Sequence, residues 1–308
     1  MDRFDKGVNN EIIRILPINI RKIFISLNIN YEKLYEIRIR INKPIIINYD
    51  NSEFGISENM LLKNEWGQAY YATSKDVYEL LQNISNYSLY AYEDEIRQGF
   101  ITIMGGHRIG IAGRTIVEKE NIKNIQNITY INIRISHEIR GCANKVIPYI
   151  YDEDNNSIFN TLIISPPMTG KTTLLRDIIR NISNGESIKR GITVGVVDER
   201  SEIAACYNGI EQNELGIRTD VMDSCPKIEG MMMLIRSMSP QVIAIDEIGT
   251  IKDVEAIEYM INCGCNLLAT IHGTTINDIK NKPVLRKLVE DKAIKRYIIL
   301  NNKKVLEI

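Results

Sequence analysis

Long apolar runs are missing from this chain. No stretch approaches the roughly 20 consecutive apolar residues that a membrane-spanning helix needs, so any membrane association is expected to come through a partner. An excess of one charge is missing as well: 38 Lys+Arg stand against 39 Asp+Glu, a formal charge of -1. A basic stripe for tracking nucleic acid is therefore not legible. Aromatic residues make up only 7%, and the single tryptophan, Trp66, has no basic cluster around it, which removes a stacking platform for single strands. The five cysteines (Cys142, Cys206, Cys225, Cys263, Cys265) are odd in number and scattered. Only Cys263 and Cys265 lie close together, and no second pair or nearby histidine completes a zinc spacing. With no signal peptide legible, the expectation is structural thiols in a reducing cytoplasm.

What is present fits an ordinary globular protein of about two domains: 308 residues, 44% hydrophobic and 25% charged. Residues 1–140 read as a smaller α+β domain. Glu11–Leu27 and Lys75–Ser85 carry apolar residues at helical spacing, the first interrupted by Pro17. Glu36–Ile41 alternates strictly, Pro44 restarts an extended segment, and Arg97–Arg114 reads as a hairpin joined at Gly105-Gly106. Asn132–Ser136 adds a strand. Residues 141–160 turn polar around Asp152–Asn156 and read as a linker.

From 161 to 308 strands and helices alternate, the pattern of helices packed on both faces of a mostly parallel sheet. Thr161–Ile164, Ile192–Val197, Val242–Ile245 and Leu267–Ile271 are near-continuous apolar runs, as strands buried on both faces require. A helix is expected to stop at Asn184-Gly185, a second over Glu229–Met238, and a third from a capping Asp253 to Ile261. The C-terminal segments Tyr297–Leu300 and Val305–Ile308 read as a closing hairpin.

The first of these strands runs into Ser165-Pro166-Pro167-Met168-Thr169-Gly170-Lys171-Thr172-Thr173. This is the pattern of a phosphate-binding loop: backbone N–H groups converge on one spot, Lys171 adds a charge for the β/γ-phosphates, and the Thr172 hydroxyl suits Mg²⁺. Ser165 replaces the usual first glycine and Met168 stands where another is frequent, so tighter backbone torsions are expected there. Val242–Ile245 delivers Asp246 and Glu247 at its C-terminal end, where ligands of such sheets bind. Asp246 suits the Mg²⁺ shell, and Glu247 suits the orientation or deprotonation of attacking water. Asp198-Glu199-Arg200 follows another buried strand, which makes Glu199 a rival base, or the segment a solvated turn. A fourth strand ends at His272, placed to sense the γ-phosphate.

In this order, the phosphate loop, the acidic segment at Asp198–Arg200, Leu234–Pro240 leading to Asp246-Glu247, and Thr270–Gly273 resemble the secretion ATPase superfamily of the RecA-like group. Ile164–Pro167, Val197–Ile203, Arg218–Val221 and Gly230–Pro240, with Gly99–Arg114 and Asn132–Arg140, are more narrowly similar to the stage III sporulation protein AA family. Ser165 is normal in that family, which leaves Met168 as the departure.

The resemblance implies an ATP hydrolase that uses Mg²⁺ and energises a channel between mother cell and forespore during endospore formation. It implies a homo-oligomeric ring, commonly a hexamer, docked on membrane-embedded channel proteins. The location implied is the cytoplasm, peripheral at the mother-cell face of the forespore membrane. It also implies arginines from a neighbouring first domain, with Arg108, Arg114 and Arg134 as candidates; Arg218 and Arg236 of the motor domain stand behind them. Two other classes stand beside this reading: a nucleic-acid-dependent ATPase of the same fold, and a nucleotide-binding scaffold with little turnover.

Overall fold

The computed structural model describes residues 8–85, 92–118, 121–167, 169–186, 188–301 and 304–307. Met168 and Ile308 lie outside them. The chain divides into two compact units, Met1–His137 and Glu138–Ile308.

The first unit begins with helices α1 (Val8–Ile15) and α2 (Ile18–Leu27), separated at Pro17, whose ring cannot continue a helix through that point. Strands β1 (Leu34–Arg40), β2 (Ile46–Tyr49), β3 (Ser52–Ile56) and β4 (Leu61–Leu62) precede helices α3 (Ser74–Ile84) and α4 (Glu93–Gln98). Strands β5 (Phe100–Thr102), β6 (Arg108–Glu118) and β7 (Asn121–Arg134) follow, and all seven form one antiparallel sheet in the order β4-β3-β2-β1-β7-β6-β5. Strict alternation in β1 sends Ile37 and Ile39 inward, against Ile20 and Phe24 of α2 and Leu80 of α3. Each such fully buried side chain contributes about 1.5–3 kcal/mol relative to exposure. Thr73 and Asp76 close a capping box on α3. The Gly105-Gly106 hairpin forms between β5 and β6, but Arg97 and Gln98 belong to α4, which Gly99 ends in a left-handed conformation (φ 86°). Asn132–Arg134 is the end of the long strand β7 rather than a separate short one, and residues 135–136 lie past it.

The second unit opens with α5 (Ile147–Ile150) and the two-stranded ribbon β8 (Tyr151–Asp152) and β9 (Ser157–Ile158). Within 141–160, Ala143, Val146, Ile147, Ile150 and Ile158 are buried in this unit's core. The main sheet runs β10 (Thr161–Ser165), β11 (Val194–Asp198), β12 (Thr219–Asp223), β13 (Val242–Ile245), β14 (Asn266–His272), β15 (Arg296–Asn301) and β16 (Lys304–Glu307) in chain order. In space the order is β12-β11-β13-β14-β10-β15-β16, parallel throughout except for the β15–β16 hairpin. Strand β12 has no apolar run to announce it: its residues are half-buried or exposed at the sheet edge.

Helix α6 (Lys171–Asn184) packs on the sheet, along with α7 (Lys227–Ser237), α8 (Ile251–Asn262), α9 (Ile276–Lys280) and α10 (Arg286–Glu290). Helix α6 ends at Gly185 as its sequence predicts. Helix α8 starts earlier than expected. Thr250 is its N-cap and Asp253 is the return partner of the capping box, an arrangement that satisfies two otherwise orphaned N–H groups. Helix α7 lies unusually close to β11, since a Cβ on Gly230 would sit 2.5 Å from Val197 Cγ1.

Candidate nucleotide site

The turn between β10 and α6 is closed by its own side chains. Ser165, fully buried at the strand end, donates its hydroxyl to Pro166 O at 2.8 Å and also meets the Thr169 hydroxyl. Thr169 Oγ1 donates to the same carbonyl at 2.8 Å. Ser165 is not among the residues with positive φ. Its place therefore needs no glycine, and the hydroxyl fills it with hydrogen bonds. Among the described residues of the loop, Gly170 alone carries a left-handed torsion, φ 95°, a conformation that costs a residue with a Cβ about 1–2 kcal/mol. Past it, the free N–H groups of the first turn of α6 face the loop, the arrangement that attracts anions.

The parallel register brings four strand ends to one edge. Ser165 of β10 is opposite His272 of β14, and Gly273 N donates to Ser165 O at 3.2 Å. The Lys171 side chain is only 10% exposed, and its ammonium lies 3.9 Å from Glu247 Oε2 and 3.4 Å from His272 Nε2. His272 Nε2 is 3.0 Å from Glu247 Oε1. A cation, a carboxylate and an imidazole thus converge above the loop. The other imidazole nitrogen, Nδ1, is buried and has no hydrogen-bond partner among the described residues.

Asp246 is held by hydroxyls from two elements. Thr172 Oγ1 on α6 donates to Oδ2 at 2.9 Å, and Thr270 Oγ1 on β14 donates to Oδ1. Thr270 Oγ1 in turn accepts Glu247 N at 2.8 Å. Glu247 has left-handed backbone, φ 55°, which is strained for a residue of this shape and is characteristic of functional sites.

Next to these groups a cavity of about 200 Å³ is lined by Asp198, Glu199, Glu202, Lys227, Asp246 and Glu247. Asp198 is buried, and its carboxylate accepts the N–H groups of Glu202, Ile203 and Ala204 at 2.8–2.9 Å. Burial outweighs those bonds and pushes its carboxyl up to about 6. Asp198 thereby pins the turn that follows β11 and fixes where Glu199 emerges. Glu199 accepts Lys227 Nζ at 2.7 Å, and the Lys227 side chain is only 14% exposed.

The structure therefore brings Lys171, Thr172, Asp246, Glu247 and His272 into one cluster, with Glu199 on the wall of the adjoining cavity. Thr173 lies one residue further along α6, where its carbonyl faces the Cys142 thiol at 3.8 Å. Pro167 lies in the turn, and Met168 is outside the described residues. Arg108, Arg114 and Arg134 belong to the first unit. Arg108 and Arg134 are direct cross-strand neighbours on β6 and β7, Arg114 pairs with Gln126, and the Arg108 guanidinium stacks 3.8 Å from the Phe100 ring centroid. Arg218 donates to Ser183 O at 2.8 Å, which ties β12 to α6. Two residues of the site carry no role in the sequence patterns: Thr270, which figures there only within the Thr270–Gly273 segment, and Lys227. Thr270 stands two residues before His272 on the same strand, a period-two signal for the same face. Lys227 gives no local signal.

The sequence matches the family described as "Sporulation stage III, protein AA" over residues 6–306. It is 41% identical over 296 residues to stage III sporulation protein AA of Bacillus subtilis, covering 96% of this chain and 92% of that protein. Two solved structures share the architecture at low identity. The Legionella pneumophila ATPase DotB superposes with a TM-score of 0.57 at 14% identity, over 93% of this chain and 76% of that one. The pilus retraction motor PilT with bound ADP superposes with a TM-score of 0.58 at 12% identity, over 90% of this chain and 77% of that one. The fold is that of the P-loop secretion ATPases. Sequence and architecture agree, and the chain belongs to the sporulation stage III protein AA family.

Proposed function

We propose that the chain is an ATP hydrolase of the secretion-motor kind, which couples ATP hydrolysis to a channel between mother cell and forespore during endospore formation. The observation that carries the reading is the convergence of Lys171, Glu247 and His272 above a phosphate-type loop, with the Thr172–Asp246 pair beside it. In this reading the first turn of α6 and Lys171 bind the β- and γ-phosphates. A hydroxyl and a carboxylate held 2.9 Å apart fit the hard oxygen donors of Mg²⁺, so Thr172 and Asp246 would hold the ion. Bound there, Mg²⁺ supplies neutralisation of charge on the transferring phosphoryl group.

Glu247, or Glu199 across the adjoining cavity, orients the attacking water and accepts its proton. His272 Nε2–H donates to the Glu247 carboxylate, which also faces the Lys171 ammonium, so His272 senses the γ-phosphate through Glu247. Turnover then requires exclusion of bulk water and positive charge from a second copy. Both fit a homo-oligomeric ring, hexameric in this reading, docked through membrane-embedded partners at the mother-cell face of the forespore membrane. No helix among the described residues is long and apolar enough to cross a membrane.

Steady-state phosphate release by the purified protein, unsubstituted and as Lys171→Ala, Glu247→Gln and Glu199→Gln, tests the reading. Release that depends on ATP, Mg²⁺ and Lys171 is expected, and the glutamate variant that loses the larger part names the base. No release at any protein concentration would leave a binding scaffold. Strong stimulation by single-stranded DNA or RNA would instead favour a nucleic-acid motor.

A further inference from the structure

Lys227 enters the site from an element that the phosphate-loop pattern does not include. It is the first residue of α7, directly after Pro226, and its side chain is nearly withdrawn from solvent. It lines the same cavity as Asp246 and Glu247. Its ammonium lies 2.7 Å from Glu199 Oε2. A lysine at a helix start opposes the helix dipole, so its place there needs a local anion, and Glu199 supplies it.

The carboxylate has much to be separated from. Among the described residues that line the cavity, Asp198 and Glu202 come from its own turn, Asp246 and Glu247 from the end of β13, and Arg200 and Lys227 bring positive charge. Without Lys227 the Glu199 carboxylate would lose the ammonium 2.7 Å away, and its side chain, 42% exposed, would have room to turn toward solvent.

We infer that Lys227 is a positioning residue of the nucleotide site, which holds the Glu199 carboxylate in place at the wall of the cavity shared with Glu247. The inference rests on the hydrolase reading above and adds to it a role for α7. Lys227 acts through Glu199 and touches no phosphate. The consequence is specific: its removal lowers turnover without weakening nucleotide binding, and it does nothing further once Glu199 is replaced by glutamine.

A double-mutant cycle tests this. Lys227→Met, Glu199→Gln and the combined variant are compared with the unsubstituted protein for kcat and KM in ATP-dependent phosphate release. Affinity for a fluorescent ADP analogue and melting temperature are followed in parallel. Lys227→Met is expected to lower kcat roughly 10- to 100-fold, the usual range for a group that orients a site residue, with KM and ADP affinity unchanged. Lys227→Arg is expected to restore most of the loss. The combined variant should match Glu199→Gln, which is the signature of two residues acting as one unit.

Additive losses in the double variant would overturn the inference. So would a raised KM with kcat unchanged, which would make Lys227 a phosphate ligand. Equal losses in Lys227→Met and Lys227→Arg tracking a lowered melting temperature would reduce the pair to a structural one. Absence of turnover in the unsubstituted protein would overturn the hydrolase reading and this inference with it, whereas any of the other failures leaves the hydrolase reading standing.

Discussion

The Thr172 hydroxyl and the Asp246 carboxylate meet at 2.9 Å, joining the first turn of α6 to the end of β13. Thr270 occupies the second carboxylate oxygen, so Asp246 is aimed from both sides rather than left to rotate. Asp246→Asn keeps the shape and removes the charge that a divalent cation needs. The expected outcome is nucleotide binding about tenfold weaker or more in Mg²⁺, the scale on which metal sites lose affinity when a partner is changed, and little change in EDTA. Titration of a fluorescent ADP analogue under both conditions checks it. Equal weakening in both would show that Asp246 acts on the fold rather than on the ion.

Glu247 carries its side chain on left-handed backbone, φ 55°. A residue with a Cβ loses about 1–2 kcal/mol in that region, and glycine does not, although glycine gives back about 0.5–1 kcal/mol through its freer unfolded chain. Glu247→Gly and Glu247→Ala both remove the carboxylate from Lys171 and His272, so the comparison between them isolates the backbone. The glycine variant should be the more stable by about 1 kcal/mol, or roughly 2–4 °C in a unit of this size, while both lose turnover. Calorimetry on the two variants decides it. A glycine variant less stable than the alanine variant by about 0.5–1 kcal/mol would mean that no strain is stored there.

These relationships differ in how far the sequence announces them. The phosphate loop and the Asp246-Glu247 strand end are legible because each follows an apolar run that can only be a strand buried on both faces, and a parallel sheet delivers all such ends to one edge. Ser165 reads as a missing glycine when only torsions are considered. Its buried hydroxyl, bonded to Pro166 and Thr169, shows that the turn is closed by side chains. Strand β12 escapes notice because an edge strand is paired on one side only and its residues are half-buried or exposed. The Lys227–Glu199 pair joins the turn after β11 to the start of α7, and no spacing rule brings two such residues together. It follows from the packing of α7 on β11 at Gly230 and Val197.

Asp198 offers a pH dependence with a defined sign. Burial raises its carboxyl from the ordinary 3.8 to about 6. Between those values the native chain holds a proton that the unfolded chain has released. Native stability therefore falls as pH rises through this window, and the penalty is complete above about 6; below about 4 both states are protonated and it vanishes. A shift of this size corresponds to about 3 kcal/mol. Asp198→Asn cannot ionise, so the stability of the unsubstituted protein relative to this variant should decline by up to that amount between pH 4 and 7. Urea denaturation across the range measures it. A pH-independent difference would mean that the hydrogen bonds from Glu202, Ile203 and Ala204 offset the burial.

The arginines of the first unit test whether the site is completed by a second copy. Arg108 and Arg134 stand directly opposite each other on β6 and β7, and Arg134 also faces Glu36 on β1. The inward residues beside them, Ile109 and Ile133, are fully buried, so the two guanidinium groups belong to the other face of the sheet. Arg108 is further held by its stack on Phe100. The proposed ring would supply these arginines in trans, where such groups contribute about 10³–10⁵ to the rate of phosphoryl transfer. Turnover per subunit should rise with protein concentration, because sites completed between subunits follow mass action. Arg134→Ala and Arg108→Ala should flatten that rise by tenfold or more while ADP binding by dilute protein stays unchanged, and Arg114→Ala, whose strand partner is Gln126, separates the role of the pair from that of basic charge in general. Sedimentation alongside phosphate release distinguishes the two ways of failing. Variants that assemble but do not turn over have lost a site residue, and variants that no longer assemble have lost an interface.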